Sequence, residues 1–351
     1  MENIDYLIDQ LKESDRFEKI DNSTVSELEK YETLYSIRED GFSQRILNYI
    51  FTLRIGKKLN KKTILMWDTN KHGSAAIQHE LNDDDIEIYQ NIPMIKFNSN
   101  FERFYKLGRG AIKKNVFYNS KIRYFENENL RDVITEISNL YKNLKLNEDI
   151  QKIVNNLHVY DYGIHSRTGD MNLTEVNLGQ GSWRWHTRDR LSLNKCFPNE
   201  AYIKIVNDLK PSNIYVSSSS EKFVNNLSVL DNVKTLEKDL GKHKFTGTKK
   251  FILDVYALSK CKKLICSFSS GATLMAILLR INSTNITPVD YLKIEGIYDE
   301  LSNVIKEQFV KLNSPKFMFK KIILIYLSRF YGTFFQRFLA RLFKKKIKFK
   351  N

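Results

Sequence analysis

A chain of 351 residues, 42% hydrophobic and 28% charged, has the material for a large core, is expected to divide into two domains, and does not have the composition of a disordered protein. Its net charge of +15 is not that of a nucleic-acid-binding body: residues 311–351 hold twelve Lys and Arg and no acid, leaving 44 basic against 41 acidic residues before them. The three cysteines, Cys196, Cys261 and Cys266, form no CxxC pair, and the start MENIDYLIDQLKESD has no signal-peptide core, so buried thiols in a reducing compartment and no export are expected.

Residues 1–36 read as one or two polar helices, with Asn22-Ser23 capping the second. Gly41-Phe42-Ser43 reads as a tight turn feeding a helix whose apolar face is Ile46, Tyr49, Ile50, Leu53 and Ile55, and Thr63 to Trp67 as a short buried strand. Such a turn exposes the unpaired N–H groups of a helix start, a natural anion site, though the same residues also suit an ordinary loop–helix–strand unit. Trp67 and Asp68 follow the strand end and are expected to line a cleft on the acceptor side. His72 and His79 have no third ligand at metal spacing. Asp83 to Asp85 contains a D-x-D but reads as a solvated turn before a strand at Ile86 to Ile92. Short strands and aromatic-rich loops are expected over 93–128, an amphipathic helix over Leu130 to Leu144, and a crossover at Asn147 to Leu157.

From His158 the pattern becomes repeating βα. His158 to Ile164 reads as a strand that breaks at His165, Arg167, Gly169 and Asp170, placing an arginine at the sheet's carboxyl edge, where its planar fork suits a phosphate. Such an arginine is equally at home in a structural ion pair. Helices are expected at Asn199 to Leu209, Glu221 to Leu227, Phe251 to Ser259, Gly271 to Leu279 and Ile297 to Leu312. Strands are expected at Asn213 to Ser217, Val233 to Leu236, Lys263 to Ser267 and Asn285 to Pro288. That alternation implies an α/β protein with a doubly wound parallel sheet.

Three stretches, GFSQRILNYIFTLRIGKK (41–58), GIHSRTGDMNLTE (163–175) and FILDVYALSKCKKLICSFSSGATLMAILL (251–279), together resemble the α1,6-fucosyltransferase group. That group includes bacterial nodulation and animal core fucosyltransferases, with protein O-fucosyltransferases as distant relatives. The third stretch is the most specific, and the match covers most of 41–280 in the right order. The resemblance implies a two-domain GT-B-like architecture, an α/β acceptor domain over 1–155 and a Rossmann-like nucleotide-sugar domain over 156–313; the ends, including a basic tail over 314–351, and the loop 176–197 lie outside the match.

It also implies roles. Arg167 matches the arginine on the donor β-phosphate, and Gly41 with Phe42 the loop closing over the diphosphate. Asp254 matches the carboxylate on the guanine edge, with His165 beside it. Ser269 and Ser270 match a serine pair at a helix head, and Glu175 the acid that acts as base. The implied reaction is direct displacement with inversion from GDP-fucose, with no cofactor and no metal. The chain departs from the group at Ser217 to Ser220, where acids are common, at Met171, where a base is common, and at Ser43 in place of a glycine. Plainer readings stand beside these roles: Asp254 pairing locally, Ser269 and Ser270 merely capping, Glu175 an exposed loop acid.

The loop 179–190, with Trp183 and Trp185 among arginines, is either an acceptor-binding loop or one anchored in the core by its tryptophans. In the tail, Arg329, Arg337, Arg341 and Lys345 recur at multiples of four opposite a Phe- and Leu-rich face, and Lys344, Lys345 and Lys346 end it. That pattern suits the surface of an anionic membrane and is too interrupted to span one. The expectation is a cytoplasmic, membrane-peripheral glycosyltransferase moving fucose or a related sugar to a lipid-linked glycan in surface polysaccharide assembly. The alternatives are another nucleotide sugar as donor, or a glycan-binding protein with a degenerate donor site; no nucleic-acid partner is expected.

Overall fold

The structure, a computed structural model, describes residues 2–13, 15–38, 41–68, 88–97, 112–166, 206–207, 212–218, 221–228, 230, 232–240, 247–266 and 270–281. The first half runs α1 (Glu2–Glu13), β1 (Phe17–Ile20), α2 (Asn22–Glu29), β2 (Thr33–Ile37), α3 (Phe42–Lys58), β3 (Lys62–Asp68), β4 (Met94–Phe97), β5 (Ile112–Lys113), β6 (Val116–Phe117), β7 (Ile122–Phe125), α4 (Leu130–Lys142) and α5 (Glu148–Asn155). Its main sheet has the order β4-β3-β2-β6-β5, parallel except that β5 runs antiparallel to β6, while β1 pairs in parallel with β7. The second half runs β8 (Tyr162–Ser166), β9 (Ile214–Ser218), α6 (Glu221–Ser228), β10 (Val233–Lys234), α7 (Leu236–Leu240), α8 (Gly247–Lys260), β11 (Lys263–Cys266) and α9 (Gly271–Arg280). Its four strands are all parallel, in the order β10-β9-β8-β11.

The α/β class and the parallel second sheet agree with the sequence reading. Four local expectations do not. The opening segment holds two strands, β1 and β2, and β2 is central in its sheet with Leu34, Ser36 and Ile37 buried; its five residues leave too short a pattern to read against two flanking helices. The cap of α2 is Asp21, whose carboxylate accepts the Thr24 N–H at 2.8 Å. Ile88, Tyr89 and Ile92 are buried outside any strand, in a segment bridged to the chain at Leu146, and the strand begins only at Met94. Leu236 starts a short helix instead of ending a strand.

Helix α3 is buried on nearly all sides and not along one stripe. Ile46, Leu47, Ile50, Phe51 and Ile55 are buried together with Asn48, Thr52 and Arg54. The Asn48 amide nitrogen donates to Ser36 Oγ, Ile37 O and Phe117 O, and Arg54 pairs with Glu128 and, at 2.8 Å, with Glu136, so the donors carried inward are bonded there. Helices α3 and α4 meet α8 and α9 in one apolar layer that includes Ile50, Ile137, Leu253 and Met275, and Ser138 Oγ of α4 donates to Leu278 O of α9 at 2.6 Å. A second cluster, with Ile164, Val216, Phe223 and Ile265, fills the other face of the second sheet.

The helix carboxyl ends share cations. Lys142 of α4 donates to Ile281 O at the end of α9, and Arg280 of α9 donates to Cys261 O and Lys262 O beyond α8. Lys260 of α8 donates to Val154 O and Leu157 O at the end of α5. Each contact places a cation on carbonyls at a helix carboxyl end and complements the helix dipole, for about 0.3–1 kcal/mol apiece. Among the described residues, no helix is long and apolar enough to cross a membrane.

Candidate functional site

In an open α/β sheet, ligands bind beyond the carboxyl ends of the strands, where the strand order reverses. In the second sheet that reversal falls between β8, from which β9 and β10 continue one way, and β11 on the other side. Two residues predicted for the site meet there. His165, at the end of β8, places Nε2 at 3.1 Å from Oγ of Ser270, the residue before α9. His165 was expected at the break after the strand; it lies within the strand because the ladder runs on to Ser166, paired with Ser218. Cross-strand partners share a face, so His165, Ser217 and Cys266 form one row at the edge, with Gly163, Tyr215 and Leu264 one row below. Gly163 is required in that lower row, since a Cβ there would lie 2.7 Å from Cys261 Sγ. Burial pushes the Cys261 thiol up, so it stays a packed, protonated group.

Asp254, on α8, is buried against the lower row. Tyr215 donates its phenol O–H to the Asp254 carboxylate at 2.5 Å. Burial first, and then the charge of Asp254, hold the Tyr215 phenol well above the usual tyrosine range, so it remains a donor. Asp254 is thus one row beneath the His165–Ser270 contact, on the same face of the sheet.

The amino end of α3 reaches this place from the first half. A Cβ on Gly271, the first residue of α9, would lie 2.4 Å from Ser43 Oγ and 2.8 Å from Gln44 Nε2, so the two helix starts touch and only glycine fits between them. The N-caps of α2, α4 and α5 are Asp21, Asn129 and Asn147, and each accepts a helix N–H. The N-caps of α3 and α9, Gly41 and Ser270, offer no side-chain acceptor, Gly41 because it has none and Ser270 with its Oγ against His165. Two uncapped helix starts, each the positive end of a dipole, therefore converge beside a histidine and three side-chain hydroxyl or amide groups. Helix starts so placed are suited to attract and orient an anion.

The predicted residues divide as follows. Gly41, His165, Asp254 and Ser270 gather around this point. Phe42 follows Gly41, but its ring is in the core, 6.0 Å from Trp67, 6.3 Å from Tyr89 and 6.0 Å from Phe251. Trp67 is a correction: it is 1% exposed, stacked under Arg45 at 4.7 Å, and cannot line an acceptor cleft. A residue on a central parallel strand faces a helix on either side, and here that helix is α3. Asp68 ends β3, at the sheet's carboxyl edge. Arg167, Glu175, Ser269, Trp183, Trp185, Asp83 to Asp85 and the tail with Arg329, Arg337, Arg341 and Lys344 to Lys346 lie outside the described residues. Ser43, Gln44, Ser120 and Tyr215 were not anticipated as site residues. Ser43 and Gln44 stand inside the first matching stretch and were legible there; Ser120 had no signal in an aromatic-rich segment.

No protein-family model and no curated protein sequence matches the chain. Among solved structures, it is similar to crystal structures of the α-1,6-fucosyltransferase NodZ. For one soaked with GDP-fucose the identity is 13%, over 71% of this chain and 93% of that one, with a TM-score of 0.42. For one from Bradyrhizobium the identity is 12%, over 71% and 94%, with a TM-score of 0.42. It is also similar to POFUT1 in complex with GDP, at 11% identity over 75% and 98%, with a TM-score of 0.43. Likeness at that level leaves activity to be argued from the residues themselves.

Proposed function

We propose that the protein is a glycosyltransferase that transfers fucose from GDP-fucose to a glycan acceptor by direct displacement, with inversion and without a metal. The observation that carries this reading is convergence. Three stretches far apart in the chain, matched together to one group of enzymes, meet at one point: His165 of the second bonds Ser270 of the third, and Ser43 of the first abuts Gly271 of the third. Breaking the sugar–diphosphate bond develops negative charge on the leaving group, and two helix starts with hydroxyl and imidazole donors are suited to stabilise it. In this reading Arg167, next after β8, adds a bidentate cation, Ser269 a further hydroxyl, and Asp254 faces the base of the donor. Glu175 takes the proton of the acceptor hydroxyl as its oxygen attacks the anomeric carbon.

The first test is a thermal-shift panel of GDP, UDP, dTDP and their sugars, in which GDP and GDP-fucose alone are expected to raise the melting temperature. GDP-fucose turnover should persist in EDTA and be lost in Arg167→Ala with the fold intact. A protein that binds no nucleoside diphosphate sinks the reading; a strict metal requirement moves attention to Asp83 to Asp85. The acceptor in this proposal is lipid-linked and the enzyme peripheral on the cytoplasmic face of the membrane, on the strength of the basic tail. Deleting 314–351 should abolish co-sedimentation with vesicles containing anionic lipid, and unchanged binding defeats that part alone.

A further inference from the structure

We infer that Gln44 is a specificity-determining binding residue, the group by which the first half of the chain grips the diphosphate of the donor. The inference rests on the function proposed above and adds to it a residue to which the resemblance gives no role. Gln44 lies in the first turn of α3, half-buried, and its amide is held from one side: Ser120 Oγ donates to Oε1 at 2.6 Å. Ser120 is itself 4% exposed, in the segment that follows β6. In the first sheet the strand order reverses between β2 and β6, so this contact sits at that sheet's own switch point.

With its oxygen engaged by Ser120, the amide turns its nitrogen toward α9, where Nε2 comes within 2.8 Å of the position of a Gly271 Cβ. The start of a helix presents N–H groups in place of free carbonyls, and among the described residues no bond from Nε2 is formed there. An anion drawn to the start of α9 supplies acceptors for the two Nε2 hydrogens. Ser120 thereby fixes which end of the amide meets the ligand, and the two halves of the chain contribute to the same anion from opposite sides. A bond from a neutral amide to a charged oxygen is among the stronger kinds, so its loss is visible in affinity.

The test compares GDP with GMP, which shares the base, ribose and first phosphate but lacks the second. For Gln44→Met, the GDP dissociation constant by calorimetry should rise roughly ten- to hundredfold while that for GMP stays within about twofold. Ser120→Ala, which frees the amide to turn, should give a smaller loss on GDP that does not add to that of Gln44→Met. A GDP-to-GMP ratio unchanged in both variants overturns the inference, as does a parallel loss on both nucleotides with a lowered melting temperature, which would mark Gln44 as a packing residue. Wild-type protein that binds neither nucleotide overturns the proposed function itself, a distinct outcome.

Discussion

Gly271→Ala tests the closeness of the two helix starts without reference to any ligand. The added methyl would sit 2.4 Å from Ser43 Oγ, 2.8 Å from Ser43 Cβ and 2.8 Å from Gln44 Nε2. A rotamer change removes the first contact and a swing of the amide the third. The second remains, because Ser43 Cβ moves only with the backbone of α3, and contact between two carbons is comfortable only from about 3.5 Å. The first turns must therefore part by several tenths of an ångström, which overpacking studies price at roughly 1–3 kcal/mol, offset by up to about 1 kcal/mol for replacing glycine in a helix. Urea unfolding should show a net loss of about 1–2 kcal/mol with an unchanged m-value. Ser43→Gly deletes the obstructing Cβ, so the double variant should recover about 1 kcal/mol relative to the sum of the singles. A destabilised Gly271→Ala that Ser43→Gly fails to rescue, or no loss at all, refutes the claim that the helix starts are in contact.

Trp67→Ala should cost about 3–5 kcal/mol in the same unfolding assay, because a fully buried indole leaves a cavity beneath Arg45; a loss under 1 kcal/mol would return Trp67 to the surface. Tyr215→Phe should cost about 1.5–3 kcal/mol by removing the donor to the Asp254 carboxylate, and Asp254→Asn in that background should add less than it does alone. Burial works to raise the Glu128 carboxyl, but the Phe125 N–H, Arg54 and Lys58 together hold it below the ordinary glutamate value of 4.5. Its stabilising contribution is therefore complete above that value and drains away as pH falls through the lowered one, a dependence that Glu128→Gln should flatten in melting curves taken from pH 6 to 3.

How much of the fold could be read in advance depended on how much chain each element gave. Helix α4 was legible because Val133, Ile137 and Leu140 mark a stripe, whereas α5 falls in a segment read only as a crossover, although Asn147 caps it. The strand β9 was visible as an apolar run closed by serines. By contrast β2 lies inside its sheet, and its five residues are too short a run to tell from the helices on either side. Helix α3 misled in the opposite direction: its polar residues suggest a solvated side, yet Thr52 points to the preceding turn, Asn48 to the end of β2 and, like Arg54, to partners 69 or more residues away in sequence. No local pattern reports a bond closed over that span. Trp67 was misplaced for the same reason, since a tryptophan at a strand end suits a cleft or a core equally until the covering helix is known.

The site was legible where single residues carry chemistry and illegible where absence does. His165 was noticed where its strand turns polar, while Asp254 and Ser270 were singled out only through the resemblance carried by their stretch. Among the helices whose caps are described, however, α3 and α9 stand apart by what they lack. Three other helices spend an aspartate or asparagine on capping; these two begin at Gly41 and at a Ser270 already engaged with His165. An uncapped helix forgoes about 1 kcal/mol, and the cations shared at the carboxyl ends of α5, α8 and α9 do nothing to restore it at the amino ends. Were the bare starts incidental, an N-cap at Gly41 would be an uncomplicated gain, since a Cβ there meets nothing within 4 Å and its backbone has ordinary negative φ. Gly41→Asp should accordingly stabilise the free protein by about 1 kcal/mol in urea unfolding. Under the anion-site reading, the same carboxylate, set where the diphosphate's charge belongs, should weaken GDP binding by an order of magnitude or more. Gain in stability coupled to loss of binding is the signature of a helix start kept open for a ligand; gain in stability with GDP affinity intact would mean that nothing binds there.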